Sequence, residues 1–385
     1  MHSNYDVIIV GAGSIGLPAA LAMARTGLGV LVLDRAASPG QGSHKAAIGG
    51  IRATHSEPAK IKLCLRSLEI FSTWTETYGS DIEWRQDGYS FVAYGEREER
   101  LLRDLLTVQQ SQGLDIAWLD PIELLSVVPD LNPKGLLGGT YSPNDGHCST
   151  LLAGHAFYEE AARAGATFRF GERVTGILSK NGHVTGVATD KDSFGAPIVL
   201  NAAGAWAREI GTMVGDDHPV FPDSHEAGIT EPVAPFLKPL VVDIRPGPKS
   251  ANCYFHQLPG GQIVFCLTPQ PPIVGHDCRE TSEFLPLIAR RLVELMPRLE
   301  HLRVRRTWRG LYPMTPDGAP LVGWSRELAG YLVAIGMCGQ GFMLGPGVGE
   351  LLGRMVTEQT LSASDREILE ALSPYRTFAG AEALK

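Results

Sequence analysis

The constraint that bears hardest on the fold lies between residues 5 and 34. Tyr5–Val10 (YDVIIV) is a short apolar run rich in β-branched residues, which predicts a fully buried strand. Gly11-Ala-Gly13-Ser14-Ile-Gly16 follows directly, then the apolar stretch Leu17–Ala24 at helical spacing. A second buried strand is predicted at Val30–Leu33, ending in Asp34. Strand, glycine triplet, helix, strand and acid in this order make a dinucleotide-binding βαβ unit. Gly11 makes the tight turn, Gly13 lets backbone approach a pyrophosphate, and Gly16 permits close helix–strand packing. The helix N-terminus then faces the phosphates, and Asp34 is placed to accept hydrogen bonds from a ribose.

At 385 residues the chain has enough material for two domains. Its formal net charge of −8 argues against nucleic acid as a main partner, because phosphate binding needs a basic face. No apolar run approaches the ~18 residues of a membrane span. The glycine unit starts too early to leave room for a secretory signal ahead of it. The six cysteines are scattered, with no C-x-x-C pair. That spacing disfavours an iron–sulfur cluster or structural zinc held by this chain alone, and predicts buried or inert thiols in a reducing cytoplasm.

Two textures alternate along the chain. Residues 1–82, 142–215 and 306–385 read as an α/β, Rossmann-like cofactor domain. Residues 83–141 and 216–305 read as an α+β insert built on a mostly antiparallel sheet. In the insert, Tyr89–Tyr94 predicts a strand and Glu96–Gln112 a charged amphipathic helix. Asn252–Gln257 and Gln262–Thr268, joined by Leu258-Pro-Gly-Gly261, predict a hairpin. In the cofactor part, a helix at Leu151–Ala164 precedes strands at Thr167–Phe170, Val174–Leu178 and Val184–Thr189, the last two joined around Asn181-Gly182. Ile198–Trp206 (IVLNAAGAW) predicts a buried strand ending in small residues. Near the C-terminus, strand Tyr331–Ile335 leads into Gly336-Met-Cys-Gly339-Gln-Gly341-Phe342-Met343, a glycine-rich loop opening the final helix. Ala379–Lys385 is expected to fray.

The glycine triplet with Asp34, Asn201–Trp206 (NAAGAW), Thr315-Pro-Asp317 and the terminal GQGFMLGPGVGE resemble the D-amino-acid oxidase superfamily of flavoproteins, over nearly the whole chain. Within it, His44–Ser56 (HKAAIGGIRATHS), Tyr141–Gly146 (YSPNDG) and residues 225–233 (HEAGITEPV) resemble the FAD-carrying β subunits of heteromeric L-proline dehydrogenase, opine dehydrogenases and sarcosine oxidase. The resemblance implies FAD rather than NAD, and oxidation of the C–N bond of an amino acid or N-substituted amino acid by hydride transfer to flavin N5. It also implies an α subunit as partner, with an FMN as a further flavin at the interface. Such an enzyme is expected in the cytoplasm or peripheral to the inner membrane through its complex. A stand-alone oxidase releasing hydrogen peroxide and an FAD-binding scaffold subunit are the alternatives.

By the same resemblance, FAD contacts are expected at Gly11, Gly13, Ser14, Gly16, Asp34, Arg35, Ser43, His44, Lys45, Ala47, Val174, Ala203, Gly204, Trp206, Gly310, Gly339, Gly341, Phe342 and Met343. Arg52 falls where sarcosine oxidases hold the substrate carboxylate, in a small apolar segment unsuited to a solvated charge; a structural ion pair is its alternative. His225 and Tyr254 match the histidine and tyrosine facing the flavin in proline dehydrogenase β subunits, with His256 a competitor on the same strand face. Two familiar carboxylate anchors are replaced, an arginine by Tyr312 and a lysine by Met343. Gly310 stands where monomeric sarcosine oxidases carry the cysteine that bonds to flavin, so noncovalent FAD is expected. His44 and His147 are conceivable attachment points set against that noncovalent expectation. Trp308 and Trp324 are expected as core or interface aromatics, and Arg303–Arg309 as pairing with acids or meeting a partner subunit.

Overall fold

The computed structural model describes residues 2–357 and 361–384. Its six-stranded sheet runs in the order Leu321–Trp324, Tyr331–Ile335, Ile198–Asn201, Val7–Val10, Val30–Asp34, Thr167–Phe170. All neighbours are parallel except the first pair. The central strands are covered on both faces, which is why they read as unbroken apolar runs rather than alternating ones.

One face is covered by helices Gly16–Ala24, Pro58–Ser72 and Gly341–Val356. The last of these meets the first along a glycine stripe. A Cβ on Gly345 would overlap the Ser14 carbonyl, and one on Gly349 would sit 2.7 Å from the Pro18 carbonyl carbon. This close approach brings the two helix N-termini together beside the glycine loop. The other face carries a small sheet with the hairpin Val174–Lys180 and His183–Thr189. Its turn residues Asn181 and Gly182 both have positive φ (53° and 77°), as a two-residue hairpin requires.

The second large sheet has eight strands in the order Val304–Met314, Phe221–Thr230, Ile263–Pro269, Ser250–Gln257, Leu240–Asp243, Tyr89–Ala93, Gly138–Ser142, Ala117–Leu119. It is antiparallel apart from the pairing of Leu240–Asp243 with Tyr89–Ala93. Both inserted stretches contribute strands. Val304–Met314 pairs along its whole length with Phe221–Thr230, so this strand belongs to the antiparallel sheet and crosses the sequence boundary at 306. Phe284, Ile288, Leu292 and Leu295 of helix Phe284–Leu295 pack on Phe255 and Phe265 behind the sheet. No helix among the described residues is long and apolar enough to cross a membrane.

Cys278 is exposed while the other five thiols are buried. One sequence expectation fails: residues 379–384 do not fray, and Lys385 lies outside the described residues. Glu382 and Leu384 are buried, and the Glu382 carboxylate accepts from the Lys60 ammonium at 2.8 Å, both side chains wholly out of solvent. Lys60 lies on helix Pro58–Ser72, and burying an ammonium there demands a partner that local sequence does not supply. Burial by itself would raise the Glu382 pKa, but Lys60 outweighs it and holds the carboxyl well below the usual carboxylate range. The pair's contribution is therefore complete above about pH 4 and is lost as pH falls through the depressed value. Lys60→Met is expected to cost about 3–5 kcal/mol, because it leaves a buried carboxylate unpaired. Urea unfolding at neutral pH measures this, and a loss below ~1 kcal/mol would show that the pair is not compensated in the way described.

Candidate active site

A single cavity of about 500 Å³ begins at the C-terminal ends of strands Val7–Val10 and Val30–Asp34 and runs to the antiparallel sheet. That volume lies within the range of cofactor and ligand sites, and its start is where α/β sheets bind ligands. Gly11, Gly13, Ser14, Asp34, Arg35, Ser43, His44, Ala47, Val174, Ala203, Gly204, Trp206, Gly310, Gly339, Gly341 and Phe342 all line it.

The glycine loop is fixed by its own geometry. Gly11 has φ +110° and donates its N–H to the Leu33 carbonyl at 2.8 Å. Gly13 faces open space where a Cβ would be, leaving its backbone free for a close ligand. The Asp34 carboxylate accepts from the Ala12 and Ala36 N–H groups, each at 2.8 Å, and so is held rigidly with lone pairs to spare. Next to it the Arg35 guanidinium lies 3.6 Å from the Trp206 ring centroid, and His276 stacks on that indole at 5.2 Å between centroids. Arg35 and Trp206 line the outer part of the cavity.

Further in, His44 is buried between Ser14 and Thr150. Its Nε2 must donate to the Thr150 carbonyl at 2.7 Å, so Nδ1 is the acceptor for the Ser14 hydroxyl at 2.9 Å. Burial lowers its pKa, consistent with this neutral form. Both ring nitrogens are spent, which removes His44 as a covalent attachment point. His147 does not line the cavity; it packs on His256 with ring centroids 4.4 Å apart. His256 in turn meets the Ile48 carbonyl at 2.7 Å through Nε2 and likewise stays outside the lining. Trp308 donates to the Ala46 carbonyl at 2.8 Å, pinning the turn Ser43–Ala46 against strand Val304–Met314. A Cβ at Gly310 would come 2.6 Å from the Ala46 Cβ, so this strand and turn meet too closely for a side chain. Trp324 is partly exposed. Arg303, Arg305 and Arg306 are exposed, and Arg309 alone of the basic cluster is buried.

The inner end is walled by His225, Cys266 and Tyr312. His225 stacks on Tyr312 at 3.7 Å between centroids and 19° between planes. Its Nε2 lies 3.5 Å from Asp223 Oδ2, and its Nδ1 lies 3.4 Å from the Thr268 hydroxyl. Burial raises the Asp223 pKa, but the contact with His225 outweighs it and holds the carboxyl below its ordinary value. The Tyr254 and Tyr312 hydroxyls are hydrogen-bonded to each other at 2.8 Å. Burial pushes both phenols well above 10 and the Cys266 thiol up to about 11, so this wall presents neutral hydroxyls and a neutral thiol.

Five expected residues fall elsewhere. Gly16 lies beneath the loop, where a Cβ would overlap the Gly11 carbonyl, and Met343 is buried inside the final helix. Lys45 turns to the surface and donates to Gln41 at 3.0 Å. Tyr254 does not line the cavity and meets it through two lining residues, Tyr312 and Cys266. Arg52 is the main correction. Its guanidinium donates to the Thr54 carbonyl and, at 2.6 Å, to the Leu384 carbonyl, and it lies 5.2 Å from the Phe91 ring, behind the wall. Among the described residues backbone carbonyls are its acceptors, so Arg52 forms neither the expected open anion site nor an ion pair with any carboxylate among them. Cys266 was missed. The signal was available, since the predicted hairpin sets it directly across from Tyr254.

Comparison with known proteins agrees with this geometry. Glycine oxidase of Geobacillus kaustophilus is 29% identical over 365 residues, covering 92% of this chain and 94% of its own. Hydrogen cyanide synthase subunit HcnC of Pseudomonas aeruginosa is 26% identical over 405 residues, covering 94% of each. Among solved structures, L-proline dehydrogenase from P. horikoshii superposes with a TM-score of 0.90 at 29% identity, covering 98% of both chains. Glycine oxidase from Geobacillus kaustophilus gives 0.87 at 28% identity, covering 98% of this chain and all of the other. Residues 6–355 match the family described as FAD dependent oxidoreductase (DAO), and the chain belongs to that family.

Proposed function

We propose that this FAD-dependent oxidoreductase oxidises the C–N bond of an amino acid or N-substituted amino acid of the proline, sarcosine or opine type, as the β subunit of a heteromeric dehydrogenase. The observation that carries this reading is the continuity of one cavity from the glycine loop to the wall of His225, Cys266 and Tyr312. The residues present fit the cofactor. Gly13 leaves backbone uncovered where a pyrophosphate would lie, and Asp34 is held with lone pairs free for a ribose.

Bound FAD supplies the hydride acceptor, its N5. The chain's own residues prepare the substrate. His225, oriented by Asp223 at Nε2, takes a proton from the substrate ammonium at Nδ1, where the substrate replaces the long 3.4 Å contact with the Thr268 hydroxyl, and this frees the substrate nitrogen lone pair. Tyr312, neutral at any working pH, is placed to donate a hydrogen bond to the substrate carboxylate while accepting one from the Tyr254 hydroxyl behind it. Stacking of His225 on Tyr312 fixes the two in register and excludes water from between them. Loss of hydride from the substrate carbon and formation of the C=N bond then balance: two electrons and one hydrogen leave carbon, and the nitrogen lone pair becomes the π bond. Water hydrolyses the imine product. The electrons pass on to an α subunit, with or without an FMN at the interface, in a complex of the cytoplasm or the inner-membrane surface. A relative named as a subunit, and the likeness to L-proline dehydrogenase, support the heteromeric reading.

An anaerobic titration of the purified yellow chain tests the catalytic part, following absorbance at about 450 nm against L- and D-proline, hydroxyproline, glycine, sarcosine and opines. Bleaching by one of them is expected. No bleaching with any would sink the reading and leave an FAD-binding scaffold subunit. Likeness to glycine oxidase favours one alternative, a stand-alone oxidase. Stoichiometric peroxide from the isolated chain in air would establish it against the dehydrogenase.

A further inference from the structure

The segment that backs the inner end of the site comes from the far end of the chain. Residues 380–384 run as a strap between helix Pro58–Ser72 and the loop Gly339–Gly341. Glu382 is its anchor. Its carboxylate receives the Lys60 ammonium at 2.8 Å and the Ser56 N–H at 2.9 Å, and its own N–H donates to the Asp317 carbonyl at 2.8 Å. The Ala383 N–H donates to the Ser56 hydroxyl at 3.0 Å.

Beyond this anchor Leu384 enters the wall. Its side chain is wholly buried in the cluster of Tyr89, Phe91, Leu240 and Val242, with Tyr254 packed against it. Its carbonyl is shared by the Arg52 guanidinium at 2.6 Å and the Gln340 amide nitrogen at 3.5 Å. Gln340 stands between two residues that line the cavity, and its Oε1 is buried without a partner. Leu384 therefore reaches both supports of the inner end: its side chain belongs to the cluster on which Tyr254 packs, and its carbonyl meets Gln340 of the glycine-rich loop. It also gives the buried Arg52 guanidinium a backbone acceptor behind the wall.

A strap like this is either a displaceable plug or a permanent backing. Withdrawing it would break a wholly buried ion pair and expose a wholly buried leucine together. A small amino-acid ligand has too few contacts to offset both losses.

We propose that the strap is the permanent backing of the substrate chamber's inner wall and that Leu384 is a positioning residue for the ligand carboxylate. It acts through Tyr254, by completing the cluster on which that ring packs and so steadying its hydrogen bond to Tyr312, and through Arg52, by tethering the guanidinium. The chamber thereby receives a carboxylate on the neutral Tyr312 hydroxyl instead of on a guanidinium. This inference rests on reading the His225–Tyr254–Tyr312 end as the substrate chamber.

The test uses the FAD-loaded full chain and two carboxylates that cannot be oxidised, L-tetrahydro-2-furoate and benzoate. Their binding is read from the perturbation of the flavin spectrum, which needs no turnover. Leu384→Ala is expected to weaken L-tetrahydro-2-furoate by about tenfold or more while the FAD content stays stoichiometric. Leu384→Met, which conserves volume, should restore binding to within about threefold of the parent. Unchanged binding in the alanine variant, with only a lower melting temperature, would reduce the strap to a structural brace and overturn the proposal. Tighter binding in that variant would also overturn it, since the strap would then be a competing occupant. If neither carboxylate perturbs the parent spectrum, yet an amino acid still bleaches the flavin, the chamber is assigned wrongly while the catalytic reading survives. If no amino acid bleaches it either, the catalytic reading falls too.

Discussion

Gly11→Ala is expected to give a folded but colourless protein. The backbone at this position has φ +110°, a region that L side chains rarely enter, and an added Cβ would lie 2.5 Å from the Ala202 carbonyl oxygen and 3.0 Å from its carbon. Those atoms are main chain at the end of strand Ile198–Asn201, so no side-chain rotation relieves the contact. The strain is worth about 1–3 kcal/mol before the overlap is counted. Relief requires the loop to move, which shifts the Ala12 N–H that steadies Asp34 and the backbone beside Gly13. Absorbance at about 450 nm should be absent after purification, with the far-UV circular dichroism close to that of the parent. The parent's melting temperature should rise with added FAD, because a ligand at 100 times its Kd stabilises by about 2.7 kcal/mol, and the variant's should not. A yellow variant with normal FAD content would mean that the glycine loop does not bear the cofactor.

His225→Ala should keep FAD and slow flavin reduction by about a hundredfold or more, the range lost when a positioned acid–base group is removed. Anaerobic stopped-flow reduction with the bleaching amino acid measures it. Tyr312→Phe is the informative companion. It keeps the ring on which the imidazole stacks at 3.7 Å and deletes only the hydroxyl, so substrate affinity should weaken while the limiting rate changes far less. A reduction rate unaffected by loss of the imidazole would exclude His225 as the proton acceptor.

How much of this could be read from the sequence depended on how local the determining physics is. The βαβ unit declares itself because its strands are buried on both faces and its glycines are forced by contacts a few residues away. The hairpin at Asn181-Gly182 is equally local, since both turn residues must take positive φ. The inner wall was only half legible. His225 and Tyr254 were named through family resemblance, but strand alternation could not say that Tyr254 lies behind the lining, against Tyr312 and Cys266. Arg52 was placed by motif position, and its real partner lies 332 residues away at Leu384. The tail was misread for the same reason. A short segment of small and polar residues looks solvated, and only the buried ammonium of Lys60, 322 residues earlier, makes Glu382 a core residue.

The order of strands in the parallel sheet has a consequence for how the protein is made. Ile198–Asn201 is flanked by Val7–Val10 on one side and Tyr331–Ile335 on the other. The first strand of the cofactor unit therefore waits for one partner from mid-chain, and that partner waits for another from near residue 335. Every fragment that emerges early carries a naked apolar sheet edge, which is a hazard for association during synthesis. Long-range pairing of this kind also slows folding, because loop closure comes before the contacts that reward it. No contiguous piece of the chain can be excised as a working cofactor module, and early FAD binding cannot rescue a nascent chain that stops short of the last parallel strand.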